Sequence, residues 1–150
     1  LSNNEKEHSL LKLLNSQKLE QAIVFTNRRD ETHSLTQYLR SKKVHCEALA
    51  GDIPQKKRLA TLNRFKEGSL KFLIATDVAG RGIHVDGISH VINYTLPEDP
   101  EDYVHRIGRT GRAGNEGTSI SFVTEDDAFN LPAIEEYVGM QAKCEQPQFD

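Results

Sequence analysis

Phe72-Leu73-Ile74-Ala75-Thr76-Asp77 is the stretch on which the fold turns. Four apolar residues run without a polar break and stop on a hydroxyl and a carboxylate. A short uninterrupted apolar run is the mark of a strand buried on both faces, as in a parallel sheet. Comparable runs lie on either side: Ala22-Ile23-Val24-Phe25, Val44 to Ala48, His90 to Tyr94 and Ser119 to Val123. The segments between them change to a helical period. Glu5 to Asn15 carries Leu10, Leu11 and Leu14, and Arg28 to Lys43 carries Leu35 and Leu39. Asp52 to Lys66 opens with an Asp52/Gln55 capping box and places Leu59, Leu62 and Phe65 on one stripe. Pro100 after Asp99 predicts a helix over 100–107, and Glu125 to Val138 reads as helical with Pro132 ending or kinking its first part. Alternating strands and helices predict an α/β fold, a mostly parallel central sheet with helices on both faces.

The 150 residues fit one domain, of a size that buries roughly 70% of its unfolded surface. With 37% hydrophobic and 27% charged residues, the composition is that of a globular protein rather than a disordered tail. No apolar run reaches the length of a membrane span, no signal peptide opens the chain, and a cytoplasmic location without membrane partners is expected. Cys46 and Cys144 lack metal or disulfide spacing and read as reduced thiols. His8, His33, His45 and His90 lack zinc-site spacing and read as surface or packing residues. Phe25, Phe65, Phe72 and Phe122 read as core. Residues 141–150, with Pro147, read as a loose tail. The net charge of −3 is unevenly spread. Residues 113–150 carry eight acidic side chains against Lys143 alone, a net of −7, and residues 1–112 carry +4. A mildly basic body remains open to a polyanion, because binding follows local fields.

In a parallel α/β sheet the ligand site lies beyond the carboxyl ends of the strands. Those ends read Thr26-Asn27, Leu49-Ala50-Gly51, Thr76-Asp77 and Thr95. Thr76-Asp77-Val78-Ala79-Gly80-Arg81-Gly82-Ile83 combines a hydroxyl, glycines and an arginine, a pattern suited to phosphate. It also fits an ordinary turn in which Asp77 caps a helix. After Gly51, Gln55 and Arg58 lie on the next helix, among Lys56, Lys57, Arg64, Lys66 and Lys71. Such a patch could hold a nucleic-acid backbone, and it equally fits a solvated basic face. His105-Arg106-Ile107-Gly108-Arg109-Thr110-Gly111-Arg112 packs three arginines into eight residues. Guanidinium forks match phosphate oxygens, and Arg109 and Arg112, three apart, project together from a helix or turn. Clamping a nucleotide's terminal phosphate is the functional reading; a solvated basic turn is the plain one. There is no Gly-x-x-x-x-Gly-Lys-Ser/Thr loop and no Asp-Glu pair after a strand to hold magnesium. These arginines can complete a nucleotide site but cannot form one alone.

Taken together, these stretches resemble the second RecA-like domain of the DEAD-box ATP-dependent RNA helicases over nearly the whole chain. Ile23 to Asn27 resembles the family's motif IV, Gly51 with Gln55 and Arg58 its Gly-x-x-x-Gln-x-x-Arg element, Ala75 to Ile83 motif V, and His105 to Arg112 motif VI. The resemblance implies a RecA-like three-layer sandwich. It implies that Arg109 and Arg112 meet the γ-phosphate of ATP, with Gly82 approaching the nucleotide through its backbone. It places Gly51, Arg58 and Thr76 on single-stranded RNA, with Thr26 and Asn27 alongside. Gln55, Asp77, Arg81, His105 and Arg106 would couple motifs and domains. ATP and Mg2+ would be held mainly by an N-terminal RecA-like domain lying outside these residues. Leu1 in place of an initiator methionine is expected of a piece of a longer chain.

Two positions depart from the family pattern. Gly80 stands where a second alanine or a serine is common. His84 replaces the aspartate that in most members contacts the ATP ribose; an imidazole offers at most one acceptor nitrogen, so a weaker ribose contact is expected. His84 also occurs in the bacterial RNA helicase B group, which Asp99 to His105, Gln55 to Arg58 and Asn130 to Glu135 resemble as well. That subgroup implies a role in RNA degradation and docking on a ribonuclease E-type scaffold. The expected function is thus one half of an RNA-unwinding motor, inactive by itself and monomeric. The competing readings are a non-hydrolytic docking or RNA-clamping module and a DNA-translocating relative.

Overall fold

The computed structural model describes residues 3–16, 21–77, 90–97, 101 and 118–122. Its elements follow the predicted alternation: α1 (Asn3–Leu14), β1 (Ala22–Thr26), α2 (Arg29–Ser41), β2 (Cys46–Leu49), α3 (Gln55–Glu67), β3 (Phe72–Thr76), β4 (His90–Asn93) and β5 (Thr118–Ser121). All strand pairs are parallel, in the order β2-β3-β1-β4-β5. The central strands β1 and β3 are buried at every position. Their continuous apolar sequence follows from that placement, since each face of the sheet is covered by helix.

Side chains alternate between two cores because successive residues of a strand point to opposite faces. Val24, Ile74 and Ile92 meet Leu10 and Leu14 of α1 and Leu35 and Leu39 of α2 on one face. Ile23, Phe25, Leu73 and Val91 meet Phe65 of α3 and Leu70 on the other. Three layers result. Phe25, Phe65, Phe72 and Phe122 are buried, as the sequence implies.

Three expectations are corrected, each for a backbone reason. The second strand starts at Cys46 rather than Val44. Lys43 adopts the left-handed conformation at φ 65°, with Lys43 N–H donating to the Arg40 carbonyl and Val44 N–H to the Leu39 carbonyl. This is a Schellman termination of α2. Val44 therefore belongs to the helix end, where it is buried with Leu39. The Asp52/Gln55 capping box does not form. Ile53 N–H closes a turn onto the Ala50 carbonyl at 3.1 Å, and Pro54 keeps the residue before it out of the helical region, so α3 starts only at Gln55. Leu59 does not join the core stripe either: it is 52% exposed, whereas Phe65 is fully buried and Leu62 partly so. Six residues apart, Leu59 and Phe65 stand about 120° apart around the helix, so a face centred on Thr61 and Phe65 leaves Leu59 outside. Glycine at 68, in the left-handed conformation at φ 85°, ends α3.

Val123 at the end of the fifth predicted strand, the helices expected over 125–138 and, apart from Glu101, over 100–107, the 141–150 tail and Cys144 lie outside the described residues.

The asymmetry of α3 gives a direct stability test. Phe65→Ala should lower the unfolding free energy by about 3–5 kcal/mol in urea titrations. Leu59→Ser should change it by less than about 0.5 kcal/mol. Equal losses would place Leu59 in the core after all.

Candidate functional site

Because every strand runs the same way, all carboxyl ends open on one edge of the sheet. Thr26 and Thr76, the last residues of β1 and β3, are partners in register. Leu49 of β2 is level with Ala75, so the Ala50-Gly51 turn emerges beside them. Three of the expected phosphate-contacting positions are thereby brought to one edge. Thr26 itself is fully buried. Its Oγ1 lies 2.6 Å from Thr32 Oγ1 and 3.3 Å from the Ala75 carbonyl, so its hydroxyl is committed inside the protein. What β1 presents outward is Asn27, which is exposed. Thr76 is 7% exposed, and the half-buried Asp77 after it is already helical.

Gly51 is exposed, and a Cβ added there would meet no atom within 4 Å. The packing of this domain does not itself require glycine at 51. A close approach by something outside the domain is the remaining physical use of the missing side chain. One turn into α3, Arg58 donates through Nη2 to Gln55 Oε1 at 2.7 Å. Arg58 Nε is buried and has no hydrogen-bond partner among the described residues. The contact residue and the coupling residue expected from sequence are therefore one hydrogen-bonded pair.

The basic patch is smaller than the sequence implies. Lys56, Lys57, Lys66 and Lys71 are exposed, but Arg64 is turned to Glu47, Nη1 to Oε1 at 3.4 Å. Arg40 of α2 reaches the other oxygen of Glu47 at 2.6 Å and the Cys46 carbonyl at 3.1 Å. Two arginines from opposite helix layers thus close around the outer strand β2. Charges at such an edge discourage pairing with another strand. Cys46 is buried there, and burial pushes its thiol up to about 11, so it stays protonated and chemically inert near neutrality.

Histidines behave as packing and surface groups. His45 lies against Arg64 at 3.3 Å, and burial lowers the pKa of His90. His33 has a more specific place: its Nε2 lies 2.9 Å from Asp52 Oδ2 across the turn that carries Gly51. This contact, foremost, holds the Asp52 carboxyl below its ordinary 3.8.

Sequence reasoning passed over the polar links on the other side of β1. Asn27 N–H donates to Glu31 Oε1 at 3.0 Å, and Thr95 Oγ1 donates to Glu31 Oε2 at 2.9 Å. Lys6 Nζ donates to Thr95 Oγ1 at 3.3 Å, and Asn27 Nδ2 to the Leu96 carbonyl at 3.0 Å. The available signal was Glu31 in the first turn of α2, where a carboxylate can reach back to the preceding N–H groups. Nothing local pointed to Thr95 or Lys6 as its companions.

Arg81, Gly82, His84, His105, Arg106, Arg109 and Arg112 lie outside the described residues. Among the described residues no group of three or more His, Cys, Asp or Glu side chains is placed to hold a metal ion, and no helix is long and apolar enough to cross a membrane.

Comparison with known proteins agrees with this geometry. The model of the helicase conserved C-terminal domain matches residues 5–114. The ATP-dependent RNA helicase RhlB of Pseudomonas putida is 54% identical over 98% of this chain and 37% of its own length. The chain belongs to the helicase C-terminal domain family, among DEAD-box proteins of the RhlB type. RhlB of Haemophilus influenzae is 51% identical over 92% of the chain and 33% of its own length, so the chain spans about a third of the curated relatives it matches. The DEAD-box protein SrmB of E. coli, solved bound to regulator of ribonuclease activity A, aligns with a TM-score of 0.88 at 38% identity, over 95% of this chain and 84% of that one. Dbp5 of S. cerevisiae, solved bound to RNA and ADP BeF3, aligns at 0.86 with 36% identity, over 92% of this chain and 38% of that one. The three-layer parallel sheet is thus the RecA-like sandwich of DEAD-box C-terminal domains.

The His33–Asp52 contact sets a pH signature at the Gly51 turn. A carboxyl with a depressed pKa adds stability at pH values above its unfolded value and loses it as pH falls through the folded one. Carbon-detected NMR titration should find Asp52 titrating below 3.8, and His33→Ala should move it up toward that value. An unmoved Asp52 in the variant would assign the shift elsewhere.

Proposed function

We propose that this chain is the C-terminal motor domain of an ATP-dependent RNA helicase, closing on an N-terminal RecA-like domain around ATP and single-stranded RNA. The placement of Thr26, Thr76, Gly51 and the Gln55–Arg58 pair at one sheet edge, in a domain of this family, carries the reading. Residues 1–150 form this one domain, with 141–150 its tail. RNA phosphates and sugars lie along Gly51, Arg58 and Thr76, next to Asn27. The exposed glycine admits the backbone closely, and Arg58 brings a guanidinium with one arm steadied by Gln55. Dbp5, a structural relative solved with RNA and a nucleotide analogue, supports the assignment.

In this reading Arg109 and Arg112 complete the nucleotide site from the C-terminal side, meeting the charge that develops on the γ-phosphate. Gly82 lines that site, and Asp77, Arg81, His105 and Arg106 couple it to the RNA edge through Gln55. Mg2+ and most of the ATP contacts belong to the N-terminal domain. Closure bends one RNA strand and unpairs a short duplex; hydrolysis reopens the domains and releases it. The setting is RNA turnover in the cytoplasm, with a ribonuclease E-type scaffold as docking partner. The kinship to RhlB proteins, and the SrmB neighbour's complex with a regulator of ribonuclease activity, support it.

The 150 residues alone should be monomeric and hydrolyse no ATP above background, whereas the full-length protein should show RNA-stimulated turnover. Arg109→Ala in the full-length protein should reduce that turnover by about 10³-fold, the scale of an arginine finger. Robust hydrolysis by the isolated domain would overturn the two-domain reading. RNA binding without hydrolysis in the full-length protein would favour the clamping module.

His84 replaces a carboxylate at the ribose contact, so the domain holds nucleotide weakly and activity leans on a partner. His84→Asp in the full-length protein should lower the ATP concentration needed for half-maximal turnover by about fivefold, as expected from one charge-assisted hydrogen bond. An unchanged ATP requirement would sink this assignment.

A further inference from the structure

Glu31 links two loops that are far apart in sequence. A carboxylate whose only task was to cap α2 would need one oxygen, directed at the preceding backbone. Arg28, the residue at the cap, makes no side-chain capping bond, and Glu31 Oε1 serves instead by accepting from Asn27 N–H. The second oxygen is used differently: it accepts from Thr95 Oγ1, at the end of β4. Thr95 is held in turn by Lys6 Nζ, which lies 4.6 Å from the centre of the Tyr94 ring and is 3% exposed. An ammonium is costly to bury unless acceptors and opposite charge compensate it. Its bond to the Thr95 hydroxyl ties that residue to a buried position in α1. Asn27 Nδ2 donates to the Leu96 carbonyl, and Tyr94 N–H to the Phe25 carbonyl at 3.0 Å, so the loops after β1 and β4 are joined at several points.

We propose that Glu31 is a positioning residue for the RNA-facing end of β1, setting Asn27 through one carboxylate oxygen while Thr95 and Lys6 anchor the other. The inference rests on the reading of this sheet edge as RNA-facing. Glu31 touches no RNA itself. It acts by holding the backbone of Asn27 at one height relative to β3 and Gly51, so that the edge meets the strand already shaped. Its direct partners are Asn27, just past β1, and Thr95, just past β4, with Lys6 of α1 behind Thr95. Loosening Thr95 or Lys6 reaches the Asn27 backbone through this carboxylate, beside the direct Asn27–Leu96 and Tyr94–Phe25 links.

The test uses the full-length protein and a single-stranded RNA oligonucleotide, reading the RNA concentration that half-saturates ATPase stimulation, the KM for ATP and the thermal midpoint. Glu31→Ala should raise the half-saturating RNA concentration by about fivefold, the equivalent of one net hydrogen bond, with the KM for ATP unmoved. Glu31→Gln keeps an oxygen for Asn27 N–H and can donate to Thr95 Oγ1, so it should stay within about twofold of the parent. Thr95→Val frees the carboxylate without removing it and should give a smaller rise of about twofold to threefold. Arg58→Ala reports independently on whether this edge binds RNA. If Arg58→Ala raises the RNA requirement and Glu31→Ala does not, the positioning role is wrong. If neither variant moves it, the RNA reading of the edge fails and takes this inference with it. A Glu31→Ala protein whose thermal midpoint falls while its RNA requirement stays constant would mark a purely structural contact. Should Glu31→Ala not fold, a raised RNA requirement in Thr95→Val beside a near-parental Glu31→Gln would uphold the proposal, and no change in Thr95→Val would end it.

Discussion

The pairing of Ala22–Thr26 with Phe72–Thr76 constrains the rest of the molecule. Both strands are buried on both faces, so each residue's parity decides which core it enters. A slip of β1 by one residue against β3 would send Val24 toward α3 and Ile23 toward α1 and α2. It would also separate Thr26 from Thr76, and with them the ends of the two central strands. The edge is therefore positioned by apolar packing beneath it. Hydrogen bonds among its polar residues refine a location that hydrophobic burial has already chosen.

That refinement uses polar groups unevenly. On the β2 side the links are exposed or half-exposed: Asp52 with His33, Gln55 with Arg58, and Glu47 between Arg40 and Arg64. Exposed pairs contribute little to stability, because solvent screens them and long side chains lose entropy. On the β4 side the links run inward, from Asn27 through Glu31 and Thr95 to a buried lysine. Buried polar networks are costly when incomplete and specific when complete. The Gly51 turn is thus tied mainly by solvent-exposed pairs, and the Asn27 loop by part-buried links that end on a buried lysine.

Much of this was legible in the sequence, and the exceptions share a cause. Alternating apolar runs and helical stripes identify the layers because burial leaves a periodic trace. Gly51 and Thr76 stand out because small or polar residues at strand ends serve no apolar packing, whereas Thr26, read the same way, turns out to be committed inside the domain. The misread positions depend on single backbone torsions. Lys43 in the left-handed conformation delays β2, and Pro54 delays α3 and releases Asp52 from its expected task. Torsions of this kind leave no periodicity. Arg64 belongs to a patch whose reading stays open in the sequence, since a cation facing a polyanion and one facing Glu47 look identical until Glu47 is placed. Lys6, Thr95 and Glu31 were invisible for the same reason: their connection spans 89 residues between Lys6 and Thr95 and 64 between Glu31 and Thr95.

A half-site completed by a second domain, as proposed for this edge, would face a particular physical demand. Its contacts to ligand form only on closure, so in the open state they contribute nothing to holding the half-site in shape. The shape must come from within the domain, at a cost met by the core and by internal polar links. Gly51 shows one side of this, being free of any internal need for glycine. Thr26 shows the other, with its hydroxyl spent on Thr32 and Ala75 rather than kept for a ligand. A strand end that bonds itself is already ordered, and loses less entropy on binding a ligand than one the ligand must organise.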